Sequence, residues 1–236
     1  MNRRAEELGL RDSHFTSCSG LTDSDTHYTC AHDLAVISRE LILHEAIKEY
    51  TSIWMDTIRG GEFGLSNTNK LIYYYPGATG LKTGFTSKAM YCLAASAERE
   101  GVEYIAVVLH AATSSDRFES AKTLLNYAFG SYTLVPAVPP EAIPPVPVLL
   151  GSADTVQPVL PSGAAVLTEK DGRSGLRYDV NLPPVLEAPV AEGQEIGSLS
   201  VYSEEELLGT FPLYARDGVN RQNVWHRFLS LLGALV

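Results

Sequence analysis

The sequence predicts an α+β fold, and three observations carry that prediction. Three strand-like runs, LKTGFT, AMYCLAASAE and VEYIAVVLHA, follow one another with only Ser87 and Lys88 and then a turn at 99–101 between them. Links that short force neighbouring strands to run antiparallel. Helix-period segments flank this meander on both sides, and beyond a proline-dense stretch the chain turns to short alternating runs separated by turn residues.

Taken in order, NRRAEELGL reads as a short amphipathic helix closed by Gly9. TCAHDLAVISRELILHEAIKEYTS places Leu34, Ile37, Leu41 and Ile42 at helical spacing, the pattern of a core-packed helix. After the meander, SSDRFESAKTLLNYAFGSY opens with Ser and Asp at an N-cap and continues with helical periodicity. A helix packed on one face of an antiparallel sheet makes residues 1–133 an α+β unit. Eight of the 28 residues from 134 to 161 are proline, which predicts a semi-rigid polyproline II connector excluded from a central sheet. The runs AAVLTE, LRYDVNL, EIGSLSVYS and LGTFPLYA, punctuated by KDGRSG, NLPP and AEGQ, predict a small antiparallel β domain over 162–221. In NVWHRFLSLLGALV the period changes again: Val224, Trp225, Phe228, Leu231, Leu232 and Leu235 form the apolar face of a terminal helix over 222–236.

Composition excludes several classes. At 45% hydrophobic and 19% charged residues the chain is an ordinary folded protein. A formal net charge of -10 argues against nucleic acid as a partner, since phosphate binding needs clustered Lys and Arg. No run approaches the roughly 20 apolar residues that span a bilayer, and MNRRAEELGLRDS has no apolar segment of the kind a signal peptide carries. No cofactor motif is present. His14, His27, His32, His44, His110 and His226 show no paired ligand spacing, and Asp23, Asp25, Asp33 and Glu45 lack the calcium-loop pattern, so no metal site is expected. Cys18, Cys30 and Cys92 form no CxxC pair; one Cys18–Cys30 disulfide is the alternative to buried free thiols, which are the preferred reading.

Chemistry concentrates in GATGLKTGFTSKAMYCLAASA, with Lys82-Thr83-Gly84 at its centre. On a strand this trio offers an ammonium for field, a hydroxyl for a directed hydrogen bond and a bare backbone that a ligand can approach. Those groups suit a carboxylate. Arg117, opening the helix after the third strand, would add a planar donor to the same carboxylate.

With these surroundings the chain resembles the serine-type D-alanyl-D-alanine carboxypeptidases, the low-molecular-weight penicillin-binding proteins. MNRRAEELGLRDSHFTSCSGL is similar to the family's Met-Asn-x-x-Ala-x-x-Leu-Gly segment, and HYTCAHDLAVISREL to its His-Tyr helix. NTNKLIYYYPGATGLKTG resembles the Asn-x-Asn-x-Leu run into Lys-Thr-Gly, and LEAPVAEGQEIGSLSVY the signature of its C-terminal domain. The resemblance implies a partial β-lactamase/transpeptidase-like domain, then a small β-sandwich-like domain and an amphipathic helix that lies on the membrane surface, the alternative being hydrophobic packing. It implies that Lys82, Thr83, Gly84 and Arg117 bind the terminal carboxylate of a peptidoglycan stem peptide ending in D-Ala-D-Ala, or of a β-lactam, on the extracytoplasmic face of the bacterial membrane. Met90 departs from the family, which usually has Gly there, and Cys18-Ser19 replaces the usual residues before Gly-Leu.

The family's nucleophile and base lie in Ser-x-x-Lys, and Ser-x-Asn completes the proton relay. This chain contains neither motif, so no catalytic residue is assigned in it. Acyl transfer needs a hydroxyl activated by an adjacent base, and the chain alone is expected to be inactive. Both motifs precede the family's Met-Asn segment, so Met1 is expected to be an internal methionine of a longer frame or the product of a truncation. An exposed apolar face follows from that expectation. The alternatives are a non-catalytic cell-wall interaction protein and a β-lactamase-type hydrolase, which normally lacks the second domain.

Overall fold

A computed structural model describes residues 1–22 and 24–222, with the side chains of 172–174 left out of that description. The chain divides into two compact units, Met1–Ser131 and Tyr132–Val236.

The first unit begins with α1 (Asn2–Glu7), closed by Gly9 in the left-handed region at φ 74°. The long helical segment of the sequence is two helices, α2 (Ala31–Ile42) and α3 (Ala46–Thr51), broken at residues 43–45. Of the apolar stripe only Ile42 is buried; Leu41 is exposed, and the helix instead buries Asp33 and Ser38. Asp33 accepts from the Asp12 N–H (3.0 Å) and the Ser13 hydroxyl (2.8 Å), which pins the preceding loop to the first turn of α2. The Ser13 hydrogen bond, first among several, outweighs burial and holds this carboxyl below the ordinary range.

Next come a hairpin of β1 (Met55–Ile58) and β2 (Phe63–Ser66) and a single turn, α4 (Leu71–Tyr74). The central sheet is the antiparallel meander expected from the short links: β3 (Ala78–Thr86), β4 (Met90–Arg99) and β5 (Val102–Ala111), in that spatial order. α5 (Ser114–Ser131) lays Phe118, Ala121 and Leu125 on the sheet, against Leu71, Leu93, Ala95 and Ala106. Full burial of a Leu or Phe contributes about 1.5–3 kcal/mol, so these few side chains hold helix to sheet. The capping pair is one residue earlier than the sequence suggested. Thr113 N–H donates to Asp116 Oδ2 (3.0 Å) and Asp116 N–H donates to Thr113 Oγ1 (3.1 Å).

Two turn positions set the meander. Gly77 has φ 81°, and a Cβ there would stand 2.4 Å from the Glu98 carbonyl oxygen, so only glycine fits. Met90, where the family usually has Gly, adopts φ 55°. The departure therefore places a long side chain on left-handed backbone.

The second unit contains β6 (Tyr132–Pro136), β7 (Val146–Leu149), β8 (Thr155–Val156), β9 (Pro158–Val159) and β10 (Ala165–Glu169). It continues with β11 (Leu176–Asn181), β12 (Leu186–Glu187), β13 (Glu195–Ser203) and β14 (Glu206–Ala215). Strands β11-β13-β14-β9 form one sheet, β12-β7-β8 a second and β10-β6 a third. Where proline content suggested a polyproline connector, the chain makes four short strands, and Val146, Val148 and Val156 enter a buried core. The prolines are accommodated because those strands are two to five residues long. Pairing is antiparallel throughout except for β12 with β7, which is parallel. A separate cluster of Val166, Leu199, Val201 and Leu213 fills the space under β13 and β14.

All three thiols are free, but the expectation that they are buried is corrected: Cys18 is exposed on the 15–28 loop, and Cys30 and Cys92 are half-buried. Cys30 is half-buried because it caps α2, its sulfur accepting from Asp33 N–H at 3.4 Å. The terminal helix expected over 222–236 lies, beyond residue 222, outside the described residues. Among the described residues no helix is long and apolar enough to cross a membrane.

Candidate functional site

Lys82, Thr83 and Gly84 sit mid-strand in β3, opposite Ala94, Leu93 and Cys92 of β4. Because β4 separates β3 from β5, β3 is an edge strand and its outer backbone groups face no other strand among the described residues. Such an edge is a template for an extended peptide. Alternation along the strand sends Lys82 and Gly84 to the exposed face, while Thr83 points to the opposite one at 7% exposure. Lys82 Nζ donates to the Thr83 carbonyl at 2.6 Å, which keeps the ammonium beside the motif backbone. At Gly84 the nearest atom to an added Cβ would be the Cys92 Cβ at 3.9 Å, an ordinary contact, so the bare backbone leaves open surface rather than relieving a clash.

The start of β3 is held by polar side chains. Asn69, 1% exposed, donates from Nδ2 to the Gly80 carbonyl (2.8 Å) and accepts the Leu71 N–H on Oδ1 (3.1 Å). Asn67 Oδ1 accepts the Asn69 N–H (2.9 Å) and Asn67 Nδ2 reaches the Ile53 carbonyl (2.9 Å). The Thr51 hydroxyl donates to the Thr79 carbonyl (2.6 Å), and the Thr79 hydroxyl to Glu103 (2.6 Å). Glu103 also pairs with Lys48 at 2.8 Å; that bond, against the cost of burial, raises the Lys48 ammonium above the ordinary lysine range. At the far end, Lys88 in the β3–β4 turn pairs with Asp25 of the 15–28 loop.

Arg117 is brought to the motif, but turned inward. Its Nη1 donates to the carbonyls of Gly84 (3.1 Å) and Cys92 (3.3 Å), and Nη2 to the Ser114 hydroxyl (3.2 Å). The residue is 8% exposed, and Nε is buried without a hydrogen-bond partner. Burial lowers its proton affinity, with Tyr91 and Cys92 partly opposing. The two carbonyls engage Nη1, so Arg117 fastens β3 to β4 from α5 and reaches the motif through its main chain. A shallow groove between α4 and α5, lined by Lys70, Tyr74, Ser114, Phe118 and Lys122, includes none of the three motif residues.

Sequence reasoning missed Thr68. Its hydroxyl stands 2.6 Å from that of Thr83, and unlike Thr83 it is exposed. The signal lay in the NTNKL run, where the two asparagines anchor the segment on either side of it. Among the described residues no group of three or more His, Cys, Asp or Glu side chains converges to hold a metal.

Known proteins share both the sequence pattern and the fold of this chain. Residues 1–113 match the family described as D-alanyl-D-alanine carboxypeptidase, and residues 141–221 match the C-terminal domain of penicillin-binding protein 5. D-alanyl-D-alanine carboxypeptidase DacF of Bacillus subtilis is 33% identical over 226 residues, covering 94% of this chain and 58% of the relative. Penicillin-binding protein 5 of Haemophilus influenzae superposes with a TM-score of 0.67 at 25% identity, over 93% of this chain and 64% of that structure. Penicillin-binding protein D2 of Listeria monocytogenes, solved with cefotaxime bound, is 37% identical with a TM-score of 0.51, over 54% of this chain and 53% of its own. The chain thus spans less than two thirds of the length of the relatives it matches.

Proposed function

The chain belongs to the D-alanyl-D-alanine carboxypeptidase family, and we propose that it supplies the carboxylate-binding strand of a serine-type enzyme that removes the terminal D-alanine of peptidoglycan stem peptides. One observation carries this reading: an edge strand presenting an exposed lysine and an open glycine around a threonine hydroxyl. The stem peptide lies along the free edge of β3, where main-chain hydrogen bonds fix its direction. Lys82 supplies charge for the terminal carboxylate, Thr83 hydroxyl character and Gly84 room. Arg117 is a positioning residue that holds the Gly84 carbonyl and adds positive field behind the strand.

In the complete enzyme the serine hydroxyl of Ser-x-x-Lys attacks the scissile carbonyl, the terminal D-alanine leaves with a proton on its amine, and water then hydrolyses the acyl-enzyme ester. This chain has neither that motif nor Ser-x-Asn, so by itself it binds without hydrolysing. Residues 1–131 are then the C-terminal part of the catalytic domain, and the second unit, whose strands begin at Tyr132, is the domain appended to it. β-Lactams compete for the same strand. The missing motifs also support a second reading, a wall-binding protein without catalysis.

Titration with benzylpenicillin, followed by amide chemical shifts of β3, tests the site. Wild type and Lys82→Ala should differ about tenfold or more in affinity. Gly84→Ala fits the fold without a clash, so its loss of binding would report contact with the ligand. Equal binding by wild type and both variants would end the assignment. A stem peptide left uncleaved by this chain and cleaved by a chain that also carries Ser-x-x-Lys and Ser-x-Asn would favour the enzyme over the wall-binding reading.

A further inference from the structure

The run Tyr73-Tyr74-Tyr75 is split by the fold. Tyr75 enters the core at 6% exposure and its hydroxyl donates to Asn126 (2.9 Å), whereas Tyr73 and Tyr74 are 64% and 65% exposed. The two exposed rings belong to a row. Trp54 lies against Tyr73 with ring centroids 5.4 Å apart, and Tyr73 meets Tyr74 edge-on at 4.9 Å. Contiguous aromatic surface left in water marks a place that something else covers. The row ends in the groove between α4 and α5, where Leu71, Phe118 and Tyr74 supply apolar and aromatic surface. Polar groups of both signs surround it: Lys70, Ser115 and the Lys122–Glu119 pair at 2.9 Å. Among the described residues neither the Lys70 ammonium nor the Tyr74 hydroxyl has a hydrogen-bond or ion-pair partner, so both are left to a ligand. The cavity measures about 200 Å³, below the roughly 300–1,000 Å³ of sites for drug-sized ligands, so it suits a single ring-sized unit.

We propose that this groove and the Trp54–Tyr73–Tyr74 row form a saccharide subsite, which takes one pyranose ring in the groove against Tyr74 and the next along Tyr73. A pyranose presents carbon-bound hydrogens on its face, which pack on an aromatic ring, and hydroxyls at its edge, which both donate and accept. The groove offers the matching set: aromatic surface, donors at Lys70 and Lys122, an acceptor at Glu119, and a hydroxyl at Ser115 that does either. The Glu119 carboxylate disfavours a phosphate or a second carboxylate in the same place. The groove also adjoins the motif strand on both sides. Lys70 follows Asn69, which holds the Gly80 carbonyl, and Ser114 in the groove lining accepts from Arg117, which holds the Gly84 carbonyl. The inference rests on the peptidoglycan reading of this chain and adds to it the glycan, the half of that polymer which the Lys82-Thr83-Gly84 strand does not address.

The test titrates this chain with di-N-acetylchitobiose while the amide shifts of residues 70–75 and 114–122 are followed. Wild type should give saturable shifts there with a Kd of about 1 mM. Tyr74→Ala should weaken binding about fivefold or more, and Tyr74→Phe, which keeps the ring, should stay within about threefold of wild type. Tyr73→Ala should weaken the disaccharide and leave the monosaccharide N-acetylglucosamine unchanged, because only the second ring reaches it. Both tyrosines are exposed, so these variants keep the fold, and each should bind benzylpenicillin as wild type does. If the disaccharide shifts none of these amides, or if Tyr74→Ala binds it as well as wild type, the inference is wrong while the strand assignment, read by benzylpenicillin at β3, stands. Shifts of the same amides on raising the protein concentration, with no response to sugar, would assign the aromatic row to self-association and overturn the inference. If the disaccharide binds as expected and benzylpenicillin leaves β3 unmoved, the strand reading fails and the saccharide subsite stands.

Discussion

Residues 1–131 bury Asp33, Ser38, Asn69, Thr83, Ser96 and Arg117, whereas among the described residues of the second unit Thr168 is the buried polar side chain. The second unit is held by apolar clusters: Val146, Val190 and Ile196 in one, Leu199, Val201 and Leu213 in the other. Among the described residues the first has a single cluster, and Met55, Phe63, Leu65, Tyr73 and Phe85 lie outside it, exposed. The difference separates two jobs. Non-directional burial is enough to make a stable β domain. A binding strand needs its backbone fixed in place, and directional hydrogen bonds from Asn69, Thr51 and Arg117 do that where packing cannot.

Breaking the comparison begins in the second unit. Leu213 is fully buried, so Leu213→Ala should cost about 2–5 kcal/mol, whereas Leu65→Ala on the exposed hairpin should stay within about 0.5 kcal/mol. Urea midpoints at unchanged slope measure both, and equal costs would refute the picture of an apolar-held second unit. In the first unit, Gly77→Ala forces a Cβ against the Glu98 carbonyl on left-handed backbone. It should cost about 1–3 kcal/mol, seen as a lowered Tm, and a neutral result would show that the turn can move.

Met90→Gly runs the other way. It exchanges a side chain at φ 55° for the residue suited to that conformation and should gain about 0.5–1 kcal/mol. A drop in Tm would mean that Met90 packs usefully despite its backbone.

The smallest effect is tied to pH. The folded-state pKa of Asp33 is depressed, chiefly by the Ser13 hydroxyl. Its contribution is therefore complete above the ordinary carboxylate pKa near about 4 and is lost as pH falls through the lower folded value. Asp33→Asn should remove that part of the acid dependence, lowering stability at pH 7 and leaving it closer to wild type at about pH 3. Hydrogen exchange in the first turn of α2 would register the change, and an unchanged pH profile would show that Ser13 and Asp12 do not depend on the charge.

The antiparallel meander, the helix after it and the β texture of the second unit were legible from residue order, because short links and hydrophobic period are local properties. The break at residues 43–45 was not legible, since no Gly or Pro marks it in the sequence. Nor were the strands among the prolines, where propensity yields to pairing and burial with distant residues. At the site, the sequence alone determined that Lys82, Thr83 and Gly84 lie on one strand and that Ser-x-x-Lys and Ser-x-Asn are absent. Tertiary structure decided the rest. It turned Arg117 onto main-chain carbonyls, buried the Thr83 hydroxyl and set Thr68 over it from 15 residues away in the chain. Those outcomes depend on which atoms meet across the fold, and a one-dimensional pattern carries periodicity but not the direction in which a donor finally points.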